Sequence, residues 1–198
     1  MNLKASKLIF ESESSFLYKD KEDGKDVIIK LLKDPSPSVD LLLKFHNEYE
    51  YTKDLNNSKI RSAIRKEKID NKYALILEYF DGTSIGDAFI RERQPLDKVL
   101  QAAILMAEAL GHVHQLKIIH KDITKDNILI NLDKNTINII DFGLSTKVDI
   151  RKVNMGNPDA IDGNLFYVAP EQMGRMNRKV DYRADLYSFG VLLYEMLT

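Results

Sequence analysis

The hydrophobic positions of the chain change their period near residue 80. Before that point the apolar stretches are short and rich in β-branched and aromatic residues, as in Leu8-Ile9-Phe10, Val27-Ile28-Ile29 and residues 73–77. Charged or turn residues such as Asp23-Gly24 bound them, a combination that predicts strands joined by hairpins. One helix interrupts this half. After the breaker Asp34-Pro35-Ser36-Pro37-Ser38, the segment 39–55 puts Leu42, Phe45, Tyr49 and Leu55 on one predicted face. Beyond Asp81-Gly82 the spacing becomes helical. Pro95 suits a first helical turn, and Leu96, Val99, Ala103, Met106, Leu110 and Val113 follow at three- and four-residue steps. A last helix is predicted with Leu186, Phe189, Leu193 and Met196 on one side. The pattern predicts a small strand-rich lobe and a helical lobe, joined near residues 78–82.

Composition narrows the function classes. The 198 residues are 44% apolar, as in a globular protein, and 29 basic residues balance 30 acidic ones. Such a balance argues against a nucleic-acid partner or a membrane-surface binder. With no cysteine, disulfides, thiolate catalysis and cysteine-based metal sites are excluded. No apolar run approaches the ~20 residues that span a bilayer, and residues 1–15 lack the apolar core of a signal peptide. The expectation is a soluble, cytoplasmic protein without a membrane segment.

The candidate chemistry lies in His120-Lys121-Asp122-Ile123-Thr124-Lys125-Asp126-Asn127, followed by the apolar run Ile128-Leu129-Ile130. A second apolar stretch, residues 137–140, leads into Asp141-Phe142-Gly143. This reads as a loop, a hairpin and a second loop, with polar side chains at neighbouring loop ends. Asp141 can ligate magnesium, Asn127 can offer an amide oxygen to a second ion, and Asp122 can accept a hydroxyl proton. Taken singly, each aspartate is as well explained as a turn residue or helix cap; their joint order and spacing point to chemistry. His112 and His114 stand two apart on a helix, do not face each other, and read as ordinary helix residues.

These residues resemble the protein kinases. The segment 120–127 is similar to the H-R-D-x-x-x-x-N catalytic loop, and Asp141-Phe142-Gly143 to the magnesium loop of that family. Val27-Ile28-Ile29-Lys30 resembles the V-A-I-K strand, and Glu48 stands where the next helix carries the lysine's glutamate partner. Leu77-Glu78-Tyr79-Phe80 resembles the gatekeeper and hinge, Ala169-Pro170-Glu171 the A-P-E motif, and residues 185–190 the D-x-[WY]-S-x-G start of a late helix. The resemblance implies an α+β fold: a small antiparallel β-sheet lobe with one helix (1–77), a hinge (78–82) and a mainly helical lobe (83–198). It breaks off at Met196-Leu197-Thr198, so the domain is expected to be C-terminally truncated.

The same resemblance implies ATP and Mg2+ as cofactors and a protein hydroxyl as acceptor, Ser/Thr by family likeness. Asp122 and Lys125 would serve catalysis, and Asn127 and Asp141 the metal. Ser12, Ser15, Leu17, Lys30, Glu48, Glu78, Phe80 and Leu129 would hold the nucleotide, with His120 packing beneath Phe142. The stretch 170–190 with Ile118-Ile119-His120-Lys121-Asp122 is also similar to the kinase domain that opens certain large bacterial signalling proteins. ATPase-like and sensor histidine kinase domains follow in those, and they would be partners in a longer parent.

The chain departs from the family in several places. Phe10, Ser12 and Ser15 stand where the glycine-rich loop has glycines, which let backbone approach phosphates closely; the serines still offer N–H and O–H groups. Ile28 replaces a small alanine, Thr124 a lysine beside the catalytic aspartate, Lys121 the arginine of H-R-D, and Asn164 a threonine. Two functions therefore stand side by side: an active kinase, and a nucleotide-binding pseudokinase module regulating partner or neighbouring domains.

Overall fold

In a computed structural model, which describes residues 6–55, 57–147, 165–174 and 178–198, the first half of the chain is an antiparallel sheet with one helix. Its strands are β1 (Lys7–Glu11), β2 (Ser15–Glu22), β3 (Lys25–Leu32), β4 (Ala63–Ile69) and β5 (Lys72–Glu78), in the order β1-β2-β3-β5-β4. Asp23 and Gly24 both take positive φ in the β2–β3 turn, and Asp70 and Asn71 do so in the β4–β5 turn. Short polar residues and glycine tolerate that region, so the turn chemistry sets the strand ends. β3 and β5 occupy the centre of the sheet and carry buried residues on both faces. Val27, Ile29, Leu31, Ala74 and Ile76 form one cluster, and Ile28, Leu32, Phe45, Leu75 and Leu77 the other.

Helix α1 (Val39–Thr52) starts at Ser38, whose side chain accepts the Leu41 N–H. It ends at Thr52, so Leu55 lies beyond the predicted face. The buried positions are Phe45, Glu48 and Thr52, flanked by Leu41 and Tyr49 packed against the apolar cluster. β1 forms as expected but is exposed along its whole length, with Phe10 at 57%. It pairs only with β2, across a slip in register between Leu8 and Phe10. An edge strand with nothing packed on either face forms by backbone pairing, not by burial.

The second compact unit, Asp81–Thr198, begins after Phe80. It contains β6 (Thr83–Ser84), a π-helical turn at Gly86–Ile90, α2 (Leu96–Gln115), β7 (Ile118–Ile119), β8 (Ile128–Asn131), β9 (Thr136–Ile139), β10 (Thr146–Lys147) and α3 (Arg183–Leu197). α2 buries Val99, Ala102, Met106, Ala109, Leu110 and Val113, whereas Leu96 is exposed. The stripe is therefore rotated toward the alanines at its first turns. α3 differs more. Its buried face is Ala184, Asp185, Ser188, Leu192 and Met196, and Leu186 is 48% exposed. Apolar residues occupy more than one side of α3, so the buried face is shifted from the predicted side: Met196 is buried as expected, Phe189 and Leu193 are half-buried, and the polar pair Asp185 and Ser188 marks its centre.

Leu192→Ala should lower the unfolding free energy by about 2–5 kcal/mol, the range for a fully buried leucine. Leu186→Ala should change it by no more than about 0.5 kcal/mol. Urea titrations of the two variants check the assignment of the buried face.

Candidate active site

In the first unit, Lys30 lies on central strand β3, paired with Leu17 of β2 on one side and Leu75 of β5 on the other. Its Nζ donates to Glu48 Oε2 on α1 at 2.5 Å, with the two side chains 15% and 2% exposed. An exposed pair would contribute at most ~1 kcal/mol. This one is shielded from water, which strengthens the attraction between the two charges over that of an exposed pair. Leu17 packs on the cluster that holds Ile28 and Leu77. The Glu78 N–H donates to the Ser62 carbonyl at 3.0 Å. Phe80 is half-buried at the end of the unit.

In the turn between β1 and β2 the two serines bind each other. Ser15 N–H donates to Ser12 Oγ at 3.0 Å, Ser12 N–H donates to the Ser15 carbonyl at 2.9 Å, and the two hydroxyls meet at 3.0 Å. The donors expected to face a phosphate are engaged with each other. A hydroxyl three residues from a backbone N–H competes for it, as serine does in many turns, and glycine there would leave the N–H open.

In the second unit the β8–β9 hairpin sets the geometry. Ile128 pairs with Ile139, and the Ile140 N–H donates to the Asn127 carbonyl at 3.0 Å. Asn127 and Asp141 therefore emerge at the same end of the hairpin. The Asn127 amide nitrogen donates to the Asp122 carbonyl at 3.0 Å and to Asp122 Oδ2 at 2.8 Å. Leu129, on β8, pairs with Asn138 and with Ser84 of β6. Lys125 accepts the Gly86 N–H at its carbonyl, and its stem lies where a Cβ on Gly86 would come within 3.3 Å.

His120 is fully buried and meets Phe142 edge-on, with ring centroids 4.6 Å apart. Its Nδ1 accepts the Asp122 N–H at 3.3 Å and its Nε2 faces the Ile140 carbonyl at 3.2 Å. Nε2 therefore carries the proton, and one ring ties the catalytic loop to the entry of the second loop. Lys121 and Asp141 both have positive φ, 69° and 63°. Asp141 caps its own turn through the Gly143 N–H at 3.3 Å; Lys121 has no such relief and costs about 1–2 kcal/mol in that region.

What holds Lys121 is Asp185, the residue that sequence reasoning placed in a motif without giving it a role. Its carboxylate is fully buried at the first turn of α3 and accepts the His120 N–H at 2.9 Å and the Lys121 N–H at 2.7 Å. His114 Nε2 meets it at 2.9 Å. His114 is thus more than an ordinary helix residue: its partner stands on another helix, where spacing along α2 could not show it. Gln172 Nε2 closes the arrangement on the Lys121 carbonyl at 3.1 Å. Burial pushes the Lys121 ammonium below its ordinary range, against the opposing pull of Asp185. Ser145 is fully buried with its hydroxyl on the His120 carbonyl, and burial beside Glu195 pushes the Tyr167 phenol well up. Asn164 lies outside the described residues.

The donor set suits magnesium. Among the described residues no group of three or more His, Cys, Asp or Glu side chains could hold a metal by itself. Magnesium is usually held by one or two carboxylates plus substrate phosphates, not by an all-protein cage. Because the Asn127 amide nitrogen donates to Asp122, its amide oxygen is the remaining ligand atom, on a residue whose carbonyl accepts the N–H of Ile140, the neighbour of Asp141. These oxygens fit a hard cation that brings phosphate with it.

A five-stranded antiparallel sheet bearing a buried Lys–Glu pair, with a hairpin that joins an Asp/Asn loop to an Asp-Phe-Gly loop, defines a protein kinase domain. The chain belongs to the protein kinase family: the family model described as Protein kinase domain matches residues 12–198. It is 29% identical over 178 residues to the serine/threonine-protein kinase PrkC of Bacillus subtilis, covering 88% of this chain and 26% of that protein. It is 30% identical over 207 residues to a protein kinase and PP2C-like domain-containing protein of Arabidopsis thaliana, covering 96% and 30%. With the serine/threonine-protein kinase PknB of Mycobacterium leprae it shares 28% over 180 residues, covering 88% and 28%. The chain thus spans between a quarter and a third of the length of these relatives.

Asp185→Ala removes the acceptor of two buried N–H groups, and each orphaned donor costs about 1–3 kcal/mol. The variant should be destabilised by about 3–5 kcal/mol and should lose hydrogen-exchange protection at the His120 and Lys121 amides. Asp185→Asn, which keeps one acceptor oxygen, should lose less. Native-like protection of both amides in the alanine variant would remove Asp185 from this role.

Proposed function

We propose that the chain transfers the γ-phosphoryl group of Mg·ATP to a protein hydroxyl, serine or threonine by likeness to its relatives. The observation that carries this reading is the Asp122–Asn127 pair set beside Asp141 by the β8–β9 hairpin. Magnesium, held by Asp141 and Asn127, would neutralise charge on the phosphates. Lys30, kept in place by Glu48, supplies a compact positive charge for the α- and β-phosphates. Asp122, oriented by Asn127, accepts the acceptor's hydroxyl proton as its oxygen bonds to the γ-phosphorus. The bond to the β-phosphate oxygen breaks and ADP leaves. By likeness to the family, Glu78, Phe80, Leu17 and Leu129 would serve the adenine and Lys125 the acceptor. A cytoplasmic place would go with ATP use, and in a longer parent ATPase-like and sensor histidine kinase domains would be the partners.

The Ser12–Ser15 pairing favours a second reading, a nucleotide-binding module that regulates neighbouring domains without turnover. Asp122→Asn should abolish transfer from radiolabelled ATP while Mg·ATP affinity stays within a few-fold; Asp141→Asn should weaken Mg·ATP binding itself. If parent and Asp122→Asn incorporate label equally, transfer is not performed at this site and the regulatory reading takes its place.

The serine pair makes a separate prediction. Ser12→Gly with Ser15→Gly should free the backbone N–H and tighten ATP about three- to tenfold, roughly one recovered hydrogen bond. Isothermal titration with ATP measures it, and unchanged affinity would show that the turn does not limit phosphate binding.

A further inference from the structure

Glu48 has a second cation beside it. Arg61 NH2 lies 3.7 Å from Glu48 Oε1, while Lys30 Nζ lies on Oε2, so a positive group faces each carboxylate oxygen. At that separation the arginine acts as an ion pair, beyond hydrogen-bond reach. Arg61 is 8% exposed and stands among apolar neighbours in sequence, Ile60 and the Ala63 of the cluster that includes Phe45 and Leu75. An aliphatic side chain would fill such a place at lower desolvation cost.

Its position is fixed from two directions. Ser62 Oγ donates to the Leu55 carbonyl at 2.6 Å, just past the end of α1, and the Ser62 carbonyl accepts the Glu78 N–H of β5. A bridge between Lys53 and Ala63 ties the same segment to the helix end. Thr52, in the last turn of α1, donates to the Glu48 carbonyl at 2.5 Å. Arg61 is therefore held at a set distance from the turn of α1 that carries Glu48.

Lys30 and Arg61 both face the Glu48 carboxylate in a shielded environment. Without Arg61, a phosphate that draws the ammonium away takes charge compensation from a buried carboxylate, and that loss opposes binding. With Arg61 present, Glu48 stays neutralised while Lys30 is shared. We propose that Arg61 is a positioning residue that releases Lys30 for an anionic phosphate by taking over Glu48. The phosphate in this inference rests on the reading of the chain as an ATP-using kinase; the three-way sharing of charge does not.

The experiment compares the parent with Arg61→Met and Arg61→Lys in two measurements. First, without nucleotide, the rate of Lys30 acetylation by acetic anhydride is followed by mass spectrometry. Losing this cation strengthens the field of Glu48 at Lys30 and raises the lysine's hold on its proton, so Arg61→Met should acetylate about five- to tenfold slower, and Arg61→Lys at close to the parent rate. Second, ATP and adenosine are titrated separately. Arg61→Met should bind ATP about five- to tenfold more weakly with adenosine affinity unchanged. A side chain that merely packs would move both ligands together. Equal acetylation rates in parent and Arg61→Met overturn the proposal, as does a parallel loss of ATP and adenosine. If acetylation shifts as expected but the parent binds no ATP, the sharing of Glu48 stands and the kinase reading falls. Should Arg61→Met not fold, Arg61→Gln, which removes the charge and keeps hydrogen-bonding capacity, takes its place with the same expected outcomes.

Discussion

The second unit is organised around one buried carboxylate. Asp185 is withdrawn from water, and a carboxylate in that position is tolerated only if its oxygens are satisfied by strong donors. It gains them from the backbone of His120 and Lys121 and from His114. Its place at the first turn of α3 adds the favourable end of the helix dipole. The need runs both ways. Asp185 requires the loop to present two successive N–H groups, and the loop can do so only with Lys121 at positive φ. The strain at Lys121 is thus offset by charge-assisted hydrogen bonds, each stronger than a neutral one.

From that anchor the remaining geometry follows in short steps. His120 passes the constraint to Phe142 through ring packing and to Asp122 and Ile140 through its two nitrogens. The β8–β9 hairpin passes it from Asn127 to Ile140 by pairing. Asp141 then turns at positive φ, a conformation that a short polar side chain accepts more readily than most. Hairpin pairing, the His120 ring and the Asn127–Asp122 bond together hold these loops, and groups fixed in advance need no rearrangement when charge develops nearby.

Much of this was legible in the sequence because the informative residues are of rare types at fixed intervals. The Asp/Asn loop, the Asp-Phe-Gly loop and the lysine at the end of an apolar strand stand out against their neighbours, and the turn residues Asp23-Gly24 announced a hairpin. Less was legible wherever the deciding partner is distant along the chain. His114 and Asp185 are 71 residues apart, and no local period connects them. α3 is apolar on several sides, so its buried face was set by two polar residues that a hydrophobic count discards. Arg61 lies in the segment just before β4, for which the sequence pattern suggested no role, and its ion pair with Glu48 appears only once α1 and that segment are folded together. At the first turn, serines were credited with open donors because composition shows capacity, whereas geometry shows commitment.

Ser12, Ser15 and Arg61 bear on the same physical problem from opposite sides. A glycine-rich turn grips phosphate through backbone N–H groups, which are directional and carry only partial charge. In this chain the Ser12–Ser15 pairing consumes such donors, and Glu11 and Glu13 flank the turn with negative charge, one of them offset by Lys33 at 2.6 Å. In the proposed kinase reading, attraction for a phosphate would then come mainly from full charges, Lys30 among them, and its hold on Glu48 would limit how far it serves. Arg61 loosens that limit without needing to reach the phosphate itself. A pocket that loses backbone donors and gains a buried cation exchanges directional grip for Coulombic attraction, which falls off slowly with distance in a shielded environment and tolerates a less exact fit.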